Sequence, residues 1–316
     1  MYMSIKCFVT GGNGFIGSHF VEYLTSLNNY NITVYDNFAN AENKLSAIKN
    51  DNLQIIDGDL NDEEKLKDSI KGTDVVFHLA AYSDTKASMS ARELTINNGF
   101  IATKNLLEAM VENKVKNIVF TSSQLVYGET KNNIIISEEH GPLLPVSIFG
   151  ASKLSCEALI SAYTYLFNIN SVICRLSNII GGRMSRGIIF DFVNNLKNDY
   201  SCLKILGNGC QERSYLLIDD CVKAIHKAYL SNGSKQCCVL NIANKDTISA
   251  RRIAEIAIEE MGYKNITHIE TSDDDYGWKG DVPRLMLDIR KIQECDWLPN
   301  INSEGAVRET IRRILA

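Results

Sequence analysis

The chain has no long apolar run, no block of basic residues and no C-x-x-C pair, and each lack removes a class of protein. The first apolar stretch, Ile5 to Val9, is one strand long and runs into glycines. It suits neither a signal peptide nor a membrane span, so a cytoplasmic location is expected. The 33 basic and 38 acidic residues are mixed along the chain for a net charge of −5. Without a Lys/Arg cluster to track a phosphate backbone, nucleic acid is not an expected partner. The nine cysteines form a scattered, odd-numbered set, which fits reduced, buried thiols better than disulfides or zinc. The five histidines add no ligand spacing, and no metal is expected. Internal repeats and low-complexity segments are also missing.

The 316 residues are 45% hydrophobic, enough for a sizeable core in one large domain or two unequal ones. Up to residue 175, short β-rich runs such as "IKCFVT", "ITVYD", "LQIIDGD", "DVVFHLAA", "NIVFTSS" and "SVICRLS" alternate with helical patterns such as "IGSHFVEYLTSL", "EEKLKDSI", "ATKNLLEAMVEN" and "SKLSCEALISAYTYLF". That alternation predicts an α/β fold, a Rossmann-type doubly wound parallel sheet with helices on both faces. Beyond 176 the rhythm loosens into glycine-rich loops, helices near 187–198, 219–231 and 249–262, and short strands such as "CVLNIA". Residues 1–175 are therefore expected to form a dinucleotide-binding domain and 176–316 a smaller α/β substrate domain, with some later strands returning to the sheet.

"VTGGNGFIGSHF" places Gly11, Gly14 and Gly17 between a strand and a helix. The first permits the tight turn, the second lets backbone approach a pyrophosphate, and the third lets the helix pack close to the strand. The helix start at Phe15 and Ile16 then offers its N–H groups to phosphate. Asp36 ends the next strand, 19 residues after Gly17, where a carboxylate can accept both ribose hydroxyls and would repel a 2′-phosphate. The expected cofactor is NAD rather than NADP. Asp59 could accept from the adenine amino group or serve as a strand-end cap. Asn37 and Leu60 beside these carboxylates, and the small residues of "HLAA" (Leu79, Ala80, Ala81), complete the expected cofactor site.

These pieces, together with "TSSQLVYG", "SIFGASK", "CRLSNIIG", "RSYLLIDD" and the tail "GWKGDVPRLMLDIRKIQECDWLP", resemble the extended short-chain dehydrogenase/reductase family over nearly the whole chain. That family comprises NAD-dependent nucleotide-sugar epimerases and dehydratases. The resemblance implies that hydride first passes from a sugar carbon, commonly C4, to the nicotinamide. Ser123 matches the hydroxyl that hydrogen-bonds the reacting sugar oxygen. Lys153 matches the lysine that holds the nicotinamide ribose and lowers the pKa of a tyrosine four residues before it. Phe149 stands where that tyrosine belongs.

Positions 149 and 153 are i and i+4 at the start of one helix, so the phenylalanine ring can fill the usual space. What is lost is the oxygen that takes the hydroxyl proton, a contribution of about 10²–10⁴-fold in rate. The chain is expected to bind its ligands and turn over poorly. Three origins are open: an engineered change that traps a complex, a natural change with the proton passed to Ser123, a nearby tyrosine or water, and a non-catalytic binding relative. Persistence of Ser123, Lys153 and the cofactor glycines favours the first.

Family members that eliminate water or carbon dioxide place acidic residues directly after the serine or threonine. Gln124 and Leu125 occupy those positions here, and neither can act as acid or base. What remains is oxidation at C4 followed by return of hydride to the other face, an epimerase, or by release of the keto sugar, a dehydrogenase. "PVSIFGASKLSCEALISAYTYLFNINS" with "GWKGDVP" looks most like sequences labelled UDP-glucose 4-epimerase-like, with a GDP-heptose 4-dehydrogenase as the alternative, so the expected partner is a UDP- or GDP-linked sugar. Asn178 matches a residue that meets the nucleotide phosphates, and Arg213 matches a phosphate-binding arginine whose fork of donors is fixed and always charged. The plainer use of Arg213 is a surface ion pair with Asp219 or Glu212. Where relatives carry a second phosphate arginine this chain has Trp278 and Lys279, a stacking ring and a point charge. Gly99 replaces an asparagine usual in the family. Apolar residues on more than one side of 101–113 and 153–167 suit a homodimer or homotetramer.

Overall fold

The computed structural model describes residues 4–39, 43–130, 134–233, 236–264 and 267–316. The chain forms two compact units, the first comprising Met1–Val126, Ser147–Arg175 and Ile225–Leu240, the second Tyr127–Val146, Leu176–Ala224 and Asn241–Ala316.

The first unit is built on a seven-stranded sheet of β1 (Ile5–Thr10), β2 (Tyr30–Asp36), β3 (Leu53–Asp57), β4 (Val75–His78), β5 (Asn117–Ser123), β7 (Asn170–Leu176) and β12 (Cys237–Ile242). Their spatial order is β12-β7-β5-β4-β1-β2-β3, and β1 pairs in parallel with β2 on one side and β4 on the other. The chain thus crosses over in opposite directions on either side of β1, which opens a crevice at the carboxyl ends of β1 and β4. All four residues of β4 are buried, as a strand covered on both faces requires. Helices α1 (Phe15–Ser26), α2 (Glu63–Ser69), α3 (Arg92–Ile96), α4 (Ala102–Glu112) and α5 (Ile148–Phe167) connect the strands. Phe8, Val76, Leu106, Leu107, Met110, Phe120 and Ile160 form the core between sheet and helices.

Local chemistry sets the helix ends. Asp62 caps α2 by accepting the Lys65 N–H, and Ser147 caps α5 by accepting the Gly150 N–H at 3.1 Å. Between α3 and α4 the chain makes a π-helical turn, Asn97–Ile101. Gly99 lies in it against the Ser152 hydroxyl, where a Cβ would collide, so the missing asparagine reflects close packing of two helices.

In the second unit, β6 (Ile135–Ile136), β10 (Glu212–Arg213), β13 (Ile248–Ser249) and β15 (Arg284–Leu287) make a mixed sheet. Two parallel pairs accompany it, β8 (Asn178–Ile180) with β11 (Tyr215–Leu217) and β9 (Cys202–Lys204) with β14 (His268–Glu270). Helices α6 (Ile188–Asn198), α8 (Ala250–Glu260), α9 (Arg290–Gln293) and α10 (Ser303–Leu315) belong to this unit, while α7 (Ile218–Ser231) begins in it and ends in the first. Phe192, Leu196, Ile253, Ala257, Val307 and Ile311 are among its core residues. Among the described residues no helix is long and apolar enough to cross a membrane.

Candidate active site

The first turn after β1 is built for close approach. Gly11 has φ +69°, and a Cβ there would strike the backbone of Leu79 and Ala80, while one on Gly17 would strike the Gly11 carbonyl. Gly14, the N-cap of α1, brings no capping side chain, so the positive end of the helix at Phe15 and Ile16 is left to an anion. At the end of β2, Asp36 accepts the backbone N–H groups of Asn13 and Phe38, one on each carboxylate oxygen, both at 2.9 Å. Those bonds fix the carboxylate and leave each oxygen a further lone pair. Asp59 accepts from the Asn37 amide at 2.9 Å and from the Asn61 backbone and amide. Burial alone would raise its pKa, and these bonds bring it below the usual carboxylate value. Leu60 follows, buried, its carbonyl held by the Asn105 amide at 3.1 Å. Leu79, Ala80 and Ala81 leave β4 half-buried, with the Leu79 N–H on the Thr10 carbonyl at 3.1 Å.

Behind this turn runs a buried polar chain that sequence reasoning did not reach. His78 stands between the hydroxyls of Thr10 (2.7 Å, to Nδ1) and Thr103 (3.0 Å, to Nε2). The Thr103 hydroxyl also lies 2.8 Å from the Gly99 carbonyl and 3.3 Å from the Cys156 sulfur, so one ring nitrogen of His78 donates and the other accepts within a closed polar chain. Burial, with the charge of Lys153 adding to it, drops the His78 pKa to about 3, and the ring is neutral.

Lys153, 6% exposed, donates to the Thr121 carbonyl at 2.7 Å, and its ammonium lies 4.6 Å from the Phe120 ring centre and 5.9 Å from that of Phe149. Burial lowers its pKa to about 8. One turn further, Glu157 forms a buried ion pair with Arg175 (2.7 Å) and accepts the Ser122 hydroxyl (2.5 Å), tying α5 to the ends of β5 and β7. Ser123 is half-buried, and its hydroxyl oxygen accepts the Leu125 N–H at 3.2 Å. The first unit therefore gathers the glycines, Asp36, Ser123, Phe149 and Lys153. A tyrosine near Ser123 that could replace the missing hydroxyl is not Tyr127, which is 1% exposed and donates to Asn241 at 2.7 Å.

In the second unit Arg213 forms a largely buried ion pair with Asp281, while Asp219 pairs with Arg313. The surface pairing of Arg213 with Asp219 or Glu212 is thereby replaced by a sheltered one, because Arg213 lies on β10 beside β15 and the Asp281 segment. The Asn178 amide donates to the Ser214 carbonyl at 3.2 Å, and Lys279 is exposed. Sequence reasoning missed Ser177 and Gln211 and read Gln124 only as lacking an acid or base; each is buried with a side-chain oxygen that has no hydrogen-bond partner. Polarity at a predicted strand end is the only signal that could have found them. Among the described residues no group of three or more His, Cys, Asp or Glu could hold a metal ion.

Residues 7–243 match the model of the NAD dependent epimerase/dehydratase family. A Methanocaldococcus jannaschii protein provisionally named UDP-glucose 4-epimerase is 32% identical over 97% of this chain and 96% of its own. A Bacillus cytotoxicus UDP-N-acetyl-alpha-D-glucosaminuronate decarboxylase is 29% identical over 98% of both chains. Among solved structures, the Bacillus cereus UDP-glucuronic acid 4-epimerase with UDP-glucuronic acid and NAD superposes with a TM-score of 0.88 at 27% identity, covering 98% of this chain and 99% of that one. A tyrosine-to-phenylalanine mutant of that enzyme, with a fluorinated substrate analogue and NAD, superposes equally well. The chain belongs to the NAD dependent epimerase/dehydratase family. NAD is the cofactor, and the glycine turn and Asp36 fit it: a side chain at Gly11 or Gly17 would meet backbone, and the carboxylate keeps acceptor capacity for ribose hydroxyls.

Proposed function

We propose that the chain is a nucleotide-sugar 4-epimerase, acting on a uridine diphosphate sugar, in which Phe149 slows the proton transfer. The observation that carries this reading is the buried Lys153, still held on the Thr121 carbonyl one turn from Phe149, with Ser123 at the end of the neighbouring strand. Gly11, Gly14, Phe15, Ile16 and Gly17 hold the pyrophosphate of NAD, Asp36 and Asn37 the adenosine ribose, Asp59 and Leu60 the adenine edge, and Leu79, Ala80 and Ala81 the passage toward the nicotinamide. When bound, NAD supplies the acceptor, and later the donor, of hydride.

Lys153 orients the nicotinamide ribose, and Ser123 hydrogen-bonds the C4 oxygen of the sugar. Phe149 gives shape without an acceptor, so the hydroxyl proton leaves through Ser123 or water. Asn178 and Arg213 of the second unit, with Lys279 as a point charge, meet the diphosphate, and Asp281 holds the Arg213 fork in place. That unit is the nucleotide-sugar-binding half, and the protein works as a homodimer or homotetramer. Gln124 and Leu125 supply no acid or base for elimination, which supports epimerisation over dehydration.

The test is to supply Phe149→Tyr with a panel of UDP- and GDP-sugars and identify the product. Conversion of a UDP-sugar to its C4 epimer without net NADH supports the reading. A keto sugar released with one NADH per turnover makes the protein a dehydrogenase, and no reaction with any sugar removes the catalytic reading.

A further inference from the structure

β4 runs Val75, Val76, Phe77 and then His78, all buried, and a polar ring in such a strand opposes folding unless its nitrogens are paired. They are paired toward different elements. On the Nδ1 side lies the Thr10 hydroxyl of β1 at 2.7 Å, whose oxygen also faces the Ala80 N–H at 3.4 Å. Ala80 is the backbone against which Gly11 packs too closely for a Cβ, so this arm ends under the turn that takes the pyrophosphate. On the Nε2 side lies Thr103 of α4 at 3.0 Å, and the Thr103 hydroxyl reaches the Cys156 sulfur of α5 at 3.3 Å. Cys156 follows Lys153 by three residues, on the same side of the helix. The His78 ring centre is also 5.4 Å from that of Phe120, on which the Lys153 ammonium rests at 4.6 Å. Thr10, His78, Thr103 and Cys156 are each at most 1% exposed, shut away from competing water.

We propose that His78 is a positioning residue with two arms, one setting the pyrophosphate turn through Thr10 and Ala80, the other setting Lys153 against the end of β5 through Thr103, Cys156 and Phe120. The second arm rests on the reading of Lys153 as the residue that holds the nicotinamide ribose. The ring is neutral, so it supplies geometry and no charge. An apolar side chain would fill the space and release both arms, which accounts for a histidine where packing alone asks for an apolar residue.

The two nitrogens can be replaced one at a time. An asparagine amide at position 78 places its polar atoms near the Nδ1 position and a glutamine amide near the Nε2 position, each able to donate or accept. The full chain and its His78→Asn and His78→Gln variants are titrated calorimetrically with ADP, which reaches only the turn and the adenosine side, and with NAD, which adds the nicotinamide ribose. His78→Asn keeps the Thr10 arm and is expected to bind ADP as the parent does while binding NAD about tenfold more weakly. His78→Gln keeps the Lys153 arm and is expected to lose about tenfold for ADP and the same factor, no more, for NAD. Each variant gives up one buried hydrogen bond, so both are expected to melt below the parent by similar amounts, whereas a purely structural role would lower the two affinities together. Thr10→Val and Thr103→Val cut the same arms from outside the ring. They are expected to follow the glutamine and asparagine patterns respectively, and they decide the matter if a variant at position 78 does not fold. Parallel losses for both ligands in all variants, or no loss in any, overturn the proposal while leaving the role of Lys153 standing. Lys153→Met tests that role: NAD affinity equal to the parent's removes the ribose contact of Lys153 and the second arm with it.

Discussion

Phe149 and Lys153 share one face of the first two turns of α5, and the lysine pays for its position in proton affinity. Its pKa of about 8 follows from burial, against an ordinary value near 10.5. Below pH 8 both folded and unfolded chains carry the charge, and the fold bears the full cost of the buried ammonium. From pH 8 upward the folded chain releases the proton first, so this cost fades. Lys153→Met is therefore expected to be more stable than the parent without NAD at pH 7.5, with the difference shrinking toward pH 9.5. Thermal unfolding of the pair across that range checks it; a constant difference would contradict the burial argument. Gly17 gives a second residue-scale prediction. Gly17→Ala forces a methyl onto the Gly11 carbonyl and is expected to abolish NAD binding in a calorimetric titration.

At the scale of the element, α5 is held on both sides of the turn that carries Phe149 and Lys153. Ser147 caps its start, and Glu157, one turn beyond Lys153, is locked by Arg175 and Ser122. Removing one partner of a buried pair leaves a charge uncompensated, so Glu157→Gln is expected to cost about 3–5 kcal/mol, read from the denaturant midpoint, with much of it recovered in Glu157→Leu/Arg175→Met. If the double variant is as unstable as the single, the loss is one of packing.

Elements of this length were legible in sequence because helical periodicity over 102–112 or 148–167 and strand runs such as Ile5–Thr10 are dictated by burial on a sheet. The start of α5 was the weaker point, since Ile148 to Ala151 carry no strong period and the Ser147 cap decides it. The two-residue strands β6, β10 and β13 left no pattern, because their pairing is imposed by partners distant in sequence.

For the whole molecule, the glycine turn, Asp36, Ser123 and Lys153 were nameable from local motifs, since the first three sit at strand ends and Lys153 in the first turns of α5. The burial of Arg213 against Asp281, the His78 chain and the unpaired Gln124 oxygen depend on packing that no local pattern encodes. Cofactor choice is a property of the assembled unit. NAD at one hundred times its dissociation constant is expected to stabilise the chain by about 2.7 kcal/mol, while NADP at the same concentration gives no shift in melting temperature. In Asp36→Asn, which no longer repels the 2′-phosphate, the two cofactors should converge.

The central claim, that the site is complete but for one oxygen, is tested most directly by the single-turnover rate of Phe149→Tyr against the parent with the UDP-sugar that binds best. A gain of about 10²–10⁴-fold with unchanged sugar affinity is the result predicted for a restored acid/base group. Equal rates in the two proteins would contradict it and place the proton on another residue.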